Sequence, residues 1–100
     1  MKTIDIFKAL SNESRLQILQ WLKEPYRHFI PHEGIDMNQI GVCVSQFTEK
    51  LNMTQSTVSQ YLTILQRAGL IKIKRIGKFT YYQRDEEAIK AIAQLLQNEL

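Results

Sequence analysis

A mainly α fold with a small β-hairpin is predicted by three features of this 100-residue chain. Apolar residues recur at helical spacing over most of its length, as in Val58, Leu62 and Leu65 at i, i+4 and i+7. Two consecutive helical stretches are separated by a tight break at Asn52-Met53. The second is followed by a partly alternating segment and a strand-forming run on either side of Gly77. Helix, turn, helix and two-stranded ribbon, in that order, is the layout of a winged helix-turn-helix, a DNA-reading device.

Each element has a local reason. Thr3 to Leu10 reads as a short helix with Ile4, Phe7 and Leu10 inward. Ser11 or Asn12 restarts the chain as an N-cap. Leu16, Leu19 and Leu22 mark the next helix, with Ile18 and Trp21 widening its buried face and Trp21 read as a core or helix-packing residue. Glu24 to Gly41 contains Pro25, Pro31, Gly34 and Gly41 and reads mostly as loop, with one helical turn over Met37 to Ile40. A loop this long in a compact domain is usually functional or mobile. Its apolar Phe29, Ile30 and Ile35 are expected to pack over the core edge. The sharper reading makes the segment an effector-responsive or dimer-bracing element.

A third helix follows with Phe47 and Leu51 inward, and Asn52 suits its left-handed C-cap. Thr54 can N-cap the fourth helix, which runs to Ala68, and Gly69 ends it. In Leu70 to Arg75, Ile71 and Ile73 take one face while Lys72 and Lys74 take the other. Gly77 makes the turn, Lys78 lies at or just beyond its tip, and Phe79, Thr80, Tyr81 and Tyr82 are strong strand formers. Asp85 can cap the last helix, and Glu86 and Glu87 suit its positive N-terminal dipole. That helix carries Ala88, Ile89, Ile92, Ala93, Leu95, Leu96 and Leu100, a band wide for one small domain. A dimer interface of Ile4, Phe7, Ile89, Ile92, Ala93 and Leu96 would account for the width; closure of the monomer core is the alternative. The reading is one domain over 1–100, with the helix-turn-helix at about 44–68, the wing at about 70–84 and a dimerisation helix at about 85–99.

Charge points to the partner. Residues 1–50 carry six basic and six acidic side chains, so the net +3 arises entirely in the second half. No Asp or Glu occurs from Leu51 to Arg84, a stretch holding Arg67, Lys72, Lys74, Arg75, Lys78 and Arg84. Such asymmetry favours a polyanion. Thr54, Gln55, Ser56, Thr57, Ser59 and Gln60 crowd the start of the fourth helix, and amides and hydroxyls there match base edges and phosphates. An ordinary solvated face would carry Glu and Lys instead. The expected DNA contacts are therefore these six with Arg67, Lys72, Lys74, Arg75 and Lys78. The plainer reading of the wing lysines is protection of a sheet edge.

Other chemistries find little footing. No Ser/His/acid or Cys/His set sits on matching elements and no phosphate-cradling glycine loop exists, so an enzyme is not expected. One cysteine excludes an intrachain disulfide, and no run resembles a signal peptide or membrane span, so a cytoplasmic protein is expected.

At this point the chain resembles a known family. AlaLeuSerAsnGluSerArgLeuGlnIleLeu at 9–19, LeuAsnMetThrGlnSerThrValSerGlnTyrLeuThrIleLeuGlnArgAlaGlyLeuIle at 51–71 and the wing end Lys78 to Tyr82 resemble, in order and spacing, the ArsR/SmtB winged-helix repressors. The resemblance covers most of the chain except 24–41. It implies four helices, two strands and a fifth helix, a homodimer, and double-stranded operator DNA as target. Metal-sensing members carry two cysteines separated by one residue where this chain has Cys43 and Ser45. The family's other common metal site uses Asp and His on a last helix that here lacks His. A lone thiolate is a poor soft-metal site, so neither a metal nor another cofactor is expected. His28 and His32 would join Cys43 only if the loop folded back. Cys43 reads as buried and inert, because a reactive thiol needs a basic neighbour and none is evident in sequence.

The function expected is a sequence-specific, dimeric transcriptional repressor. The alternatives are a winged-helix protein-interaction module and a double-stranded-nucleic-acid binder without sequence preference. The sequence names no small-molecule or redox effector.

Overall fold

The computed structural model describes residues 3–100. Its elements are α1 (Thr3–Leu10), α2 (Glu13–Lys23), β1 (Val42–Cys43), α3 (Val44–Leu51), α4 (Gln55–Arg67), β2 (Ile71–Ile76), β3 (Phe79–Arg84) and α5 (Glu86–Glu99). This is the expected winged helix-turn-helix with one addition. The sheet has three antiparallel strands in the order β1-β3-β2, because Val42 and Cys43 pair with Tyr82 and Tyr81. Two residues are too few to show a strand period, which is why the alternation in sequence points to a hairpin alone.

Side-chain caps set the helix boundaries. Asn12 Oδ1 accepts the Arg15 N–H at 3.0 Å and opens α2. Asp85 Oδ1 accepts the Ala88 N–H at 3.0 Å and opens α5. At the end of α4 the Gly69 N–H donates to the Gln66 carbonyl and the Leu70 N–H to the Leu65 carbonyl, closing the helix as anticipated. The core gathers Ile18, Leu19 and Leu22 of α2, Phe47 of α3, Val58, Leu62 and Leu65 of α4, and Val42, Leu70 and Ile71 around the sheet. Full burial of each such side chain stabilises by about 1.5–3 kcal/mol before chain entropy is charged against it.

The inward faces of α1 and α2 differ from the expected ones. Ile6 and Ala9 are buried, whereas Ile4 is 54% and Phe7 37% exposed; Leu16 also faces outward. Both stripes of α1 fit a helical period, and only the position of α2 and α4 decides between them. In β2 only Ile71 is buried, and Ile73 is 46% exposed, because β2 is the outer strand of the sheet and only its first residue reaches the core.

The segment between α2 and β1 is ordered by contacts rather than by regular structure. Pro25–Arg27 form a 3-10 turn, and the Gln39 and Ile40 N–H groups donate to the Asp36 carbonyl in the expected helical turn. Buried Phe29 meets Trp21 and Phe47 edge to face at 5.9 and 5.3 Å. Met37 is buried too, but Ile30, expected to pack, points into solvent at 87% exposure. The backbone of Ile30 does the anchoring instead: its carbonyl accepts from Gln46 Nε2 at 2.7 Å, while Gln46 Oε1 accepts the Cys43 N–H at 3.0 Å. One α3 side chain thus ties the loop to the start of its own helix.

Candidate nucleic-acid interface

The turn between α3 and α4 is built as its residues dictate. Asn52 stands in the left-handed region at φ 54, ψ 48, and its N–H donates to the Thr48 carbonyl. Asparagine tolerates that conformation better than other non-glycine residues. Thr54 Oγ1 then accepts the Thr57 N–H at 3.3 Å and donates to Thr57 Oγ1 at 2.9 Å. These bonds aim the first turn of α4 outward, since Val58, Leu62 and Leu65 are fully buried on the opposite side.

The six polar residues predicted at this helix start divide into two groups. Thr54 and Thr57 spend their hydroxyls on the cap, and Ser59 is half-buried with its carbonyl accepting from Thr63 Oγ1 at 2.9 Å. Gln55, Ser56 and Gln60 are exposed. Among the described residues neither glutamine amide is held by an internal hydrogen bond. A free amide presents a donor and an acceptor together, the pair that matches an adenine edge.

The wing lies beside this helix start. Its register pairs Ile76 with Phe79 across the two-residue turn Gly77-Lys78. Gly77 has φ 61, and a β-carbon added there would meet no atom within 4 Å, so the turn needs glycine for its backbone and not for space. Lys78, exposed, reaches over the Phe79 ring with Nζ 5.7 Å from its centroid. Directly opposed residues share a face, so Lys72 and Lys74 lie on the side of Gln83 and Tyr81, and Arg75 lies on the side of Thr80 and Tyr82. The wing therefore offers positive charge on both faces. Lys72, Lys74, Arg75 and Lys78 form no ion pair among the described residues. A cleft of about 340 Å³ runs between wing and helix-turn-helix, lined by Cys43, Ser45 and Thr48, by Gln55, and by Lys78 to Thr80.

Two cations of the acid-free stretch stand apart: Arg84, which is not among the expected contacts, and Arg67, which is. Arg84 Nε donates to Glu86 Oε2 at 2.8 Å, so this last cation of the acid-free stretch is neutralised within the chain. The bond holds the Glu86 carboxyl below the usual carboxylate range and raises the Arg84 guanidinium. Arg67 lies twelve residues after Gln55, about 18 Å along the helix axis. There it borders a different cleft with Asp5, Lys8 and Arg15. Arg15 is fixed in that cleft by donating to the Ala9 and Lys8 carbonyls at 2.7 and 3.0 Å.

The histidines separate. His28 packs beside Trp21, but the loop does fold back and brings His32 Nε2 to 3.4 Å from Cys43 Sγ. The thiol thus has a basic neighbour that is not evident in the sequence, supplied by the fold-back of the loop. His32 Nδ1 lies 3.0 Å from the Tyr81 hydroxyl, and Ser45 Oγ lies 3.1 Å from the sulfur. Cys43 and Tyr81 are both buried, and burial, followed by the nearby Cys43, pushes the Tyr81 phenol up. Among the described residues no group of three or more His, Cys, Asp or Glu side chains is placed to hold a metal ion. No described helix is long and apolar enough to cross a membrane.

Known proteins agree with this geometry. The family described as "Bacterial regulatory protein, arsR family" matches residues 42–72, from β1 through the start of β2. The chain is 76% identical over 100 residues, covering all of both proteins, to the HTH-type transcriptional regulator YbzH of Bacillus subtilis (strain 168). It is 32% identical over 86 residues to the arsenical resistance operon repressor of the same organism, covering 86% of this chain and 69% of that protein. Among solved structures, the homodimeric winged helix-turn-helix DNA-binding domain Mb0332 of Mycobacterium bovis superposes with a TM-score of 0.65 at 27% identity, covering 96% of this chain and 78% of that one. The chain belongs to the ArsR family of bacterial transcriptional regulators and has the family's DNA-binding winged helix-turn-helix fold.

Proposed function

We propose that residues 1–100 act as one DNA-binding domain that dimerises with its own copy and represses transcription from a pseudo-palindromic operator. The observation that carries this reading is the outward first turn of α4. The free amides of Gln55 in that turn and Gln60 in the next stand beside a wing in which Lys72, Lys74, Arg75 and Lys78 have no ion-pair partner among the described residues. The amides and Ser56 read base edges in the major groove. Thr54, Thr57 and Ser59 position that turn and contact backbone, and Lys72, Lys74, Arg75 and Lys78 neutralise phosphates. Arg67 reaches only phosphates beyond the half-site core, if the helix enters the groove by its N-terminus.

Dimerisation is supported by apolar surface left over in the monomer. No residue of α5 is buried, although Ile89 and Ile92 lean on the core. On α1, whose Thr3 hydroxyl reaches Glu99 of α5 at 3.4 Å, Ile4 and Phe7 supply exposed apolar area, and on α5 Ala93 is exposed and Leu96 half-buried. The Mb0332 domain is described as homodimeric, which supports self-association of this chain. Two-fold symmetry then sets half-sites about one helical turn apart, near 10–10.5 bp or a multiple. Occupancy of such a site excludes polymerase, in line with the repressor relative, and places the protein in the cytoplasm with the chromosome.

Selection of bound fragments from the source genome at near-physiological salt tests this. Enrichment of a short inverted repeat is the expected result. No enriched motif, with binding that vanishes as salt rises, would instead support the non-specific or protein-interaction alternatives.

A further inference from the structure

We infer that Cys43 is a covalent modification site for small α,β-unsaturated carbonyl compounds, activated by His32 and placed so that its adduct blocks DNA binding. The blocking half rests on the function proposed above; the reactivity half does not. The loop that departs from the family resemblance delivers the base. Gln46 pins the Ile30 carbonyl at 2.7 Å, and two residues later His32 Nε2 faces the sulfur at 3.4 Å. Tyr81 Oη lies 3.0 Å from Nδ1, and in the tautomer that carries its proton on Nδ1 this contact holds the Nε2 lone pair toward the thiol. Ser45 Oγ at 3.1 Å donates to the sulfur as it becomes anionic. Base, base-orienting group and hydrogen-bond donor thus converge on one nucleophile from three separate elements.

The chemistry is an addition with no leaving group and no change of net oxidation state. His32 takes the Cys43 proton, and sulfur bonds to the β-carbon of the electrophile. The carbon–carbon π pair shifts toward the carbonyl, and the resulting enolate takes the proton back from His32. One S–H has been added across one double bond.

Space determines the consequence. The thiol is approached by His32 and lies in the β1–β3 pair, and the cleft of about 340 Å³ that borders Cys43 offers the space for the added group. That volume suits a single ring. It is walled by Gln55 of the recognition helix and by Lys78, Phe79 and Thr80 of the wing. A group lodged there separates the two DNA-contacting elements and stands where the duplex must enter.

The test uses the intact chain with N-ethylmaleimide and a benzoquinone as probes. Because Cys43 is the one cysteine, mass spectrometry of whole protein reads its modification directly. The wild type should react faster than glutathione at the same pH. His32→Gln, which keeps a hydrogen-bonding group at a half-buried position, should react about tenfold or more slowly. Tyr81→Phe should fall between. Equal rates for the wild type and His32→Gln would overturn the activation, whether or not the protein binds DNA. Adducted protein should lose operator affinity by at least tenfold, while Cys43→Ser should bind DNA and ignore both probes. An adduct that binds DNA as tightly as the free protein would overturn the blocking. Circular dichroism of each variant separates loss of reactivity from loss of fold.

Discussion

A β-carbon placed on Gly41 would lie 2.2 Å from the Tyr82 carbonyl oxygen and 2.6 Å from its carbon. Gly41 also has φ +116, a conformation that L side chains rarely adopt. The neighbour is backbone of β3 and cannot rotate away, so the absence of a side chain lets the loop enter β1 against the sheet. Gly41→Ala should therefore cost more than about 2 kcal/mol, through strain in φ and separation of β1 from β3. Urea unfolding monitored by circular dichroism checks this; a midpoint unchanged from wild type would show that the close approach is not needed for the fold.

Asn52 predicts a smaller and more selective effect. Its left-handed φ 54 is tolerable for asparagine and free for glycine. Asn52→Gly should change stability by only a few tenths of a kcal/mol, whereas Asn52→Val should lose about 1–2 kcal/mol. Thermal melts of the two variants side by side separate conformation from side-chain contact. A glycine variant as unstable as the valine one would assign the role to the amide instead.

These two positions mark what the sequence makes legible. Asn52, Thr54, Gly77 and Asp85 act through bonds spanning four residues or fewer, so their roles follow from local chemistry and agree with the structure. The strand at Val42-Cys43 and the placement of His32 depend on partners far along the chain, Tyr82 and Tyr81 among them. The exposed Ile4, Phe7 and Ile73 fit the same periodicities as buried residues, and only tertiary placement tells them apart. In the candidate interface the polar residue types were legible. That Thr57 turns its hydroxyl into the Thr54 cap was not, because it depends on where that hydroxyl points.

The Arg84–Glu86 pair gives acid stability a defined sign. The hydrogen bond from Arg84, the largest cause, lowers the Glu86 carboxyl in the folded state. A lowered folded value means the stabilisation is fully present above the ordinary carboxylate range and disappears as pH falls through the folded value. Glu86 is more than half exposed, so the gain is small and screened by salt. Denaturant midpoints of wild type and Glu86→Gln should differ slightly at neutral pH and converge under acid conditions. A gap that widens on acidification would contradict the assignment.

The proposed dimer predicts that charge on its exposed rim separates assembly from folding. Phe7 and Ala93 are exposed in the monomer, so Phe7→Glu and Ala93→Glu should leave helical content and melting nearly unchanged. Both should shift the protein toward monomer in sedimentation velocity. Operator affinity should fall roughly ten- to a hundredfold, because the second half-site loses the effective concentration that the first subunit provides. Ile92→Asp should weaken the dimer as well, but it also removes a contact with the core and is the less selective probe. Dimers that persist in both rim variants would locate the interface elsewhere.

The recognition helix and the wing should fail in different ways when altered. Gln55→Ala or Gln60→Ala removes a free amide, and an amide bonded to a base edge discriminates by about 1–3 kcal/mol. Each should relax preference at one base pair per half-site and leave the salt dependence of binding unchanged. Lys78→Ala removes a charge at the wing turn with no internal ion-pair partner among the described residues. It should weaken binding to all sequences alike and reduce the slope of log affinity against log salt by about one charge per subunit. Titrations of operator and scrambled duplexes across a salt series measure both quantities at once. If the glutamine and lysine variants lose sequence discrimination to the same degree, specificity does not reside in the first two turns of α4, and the contacts assigned there are positional only.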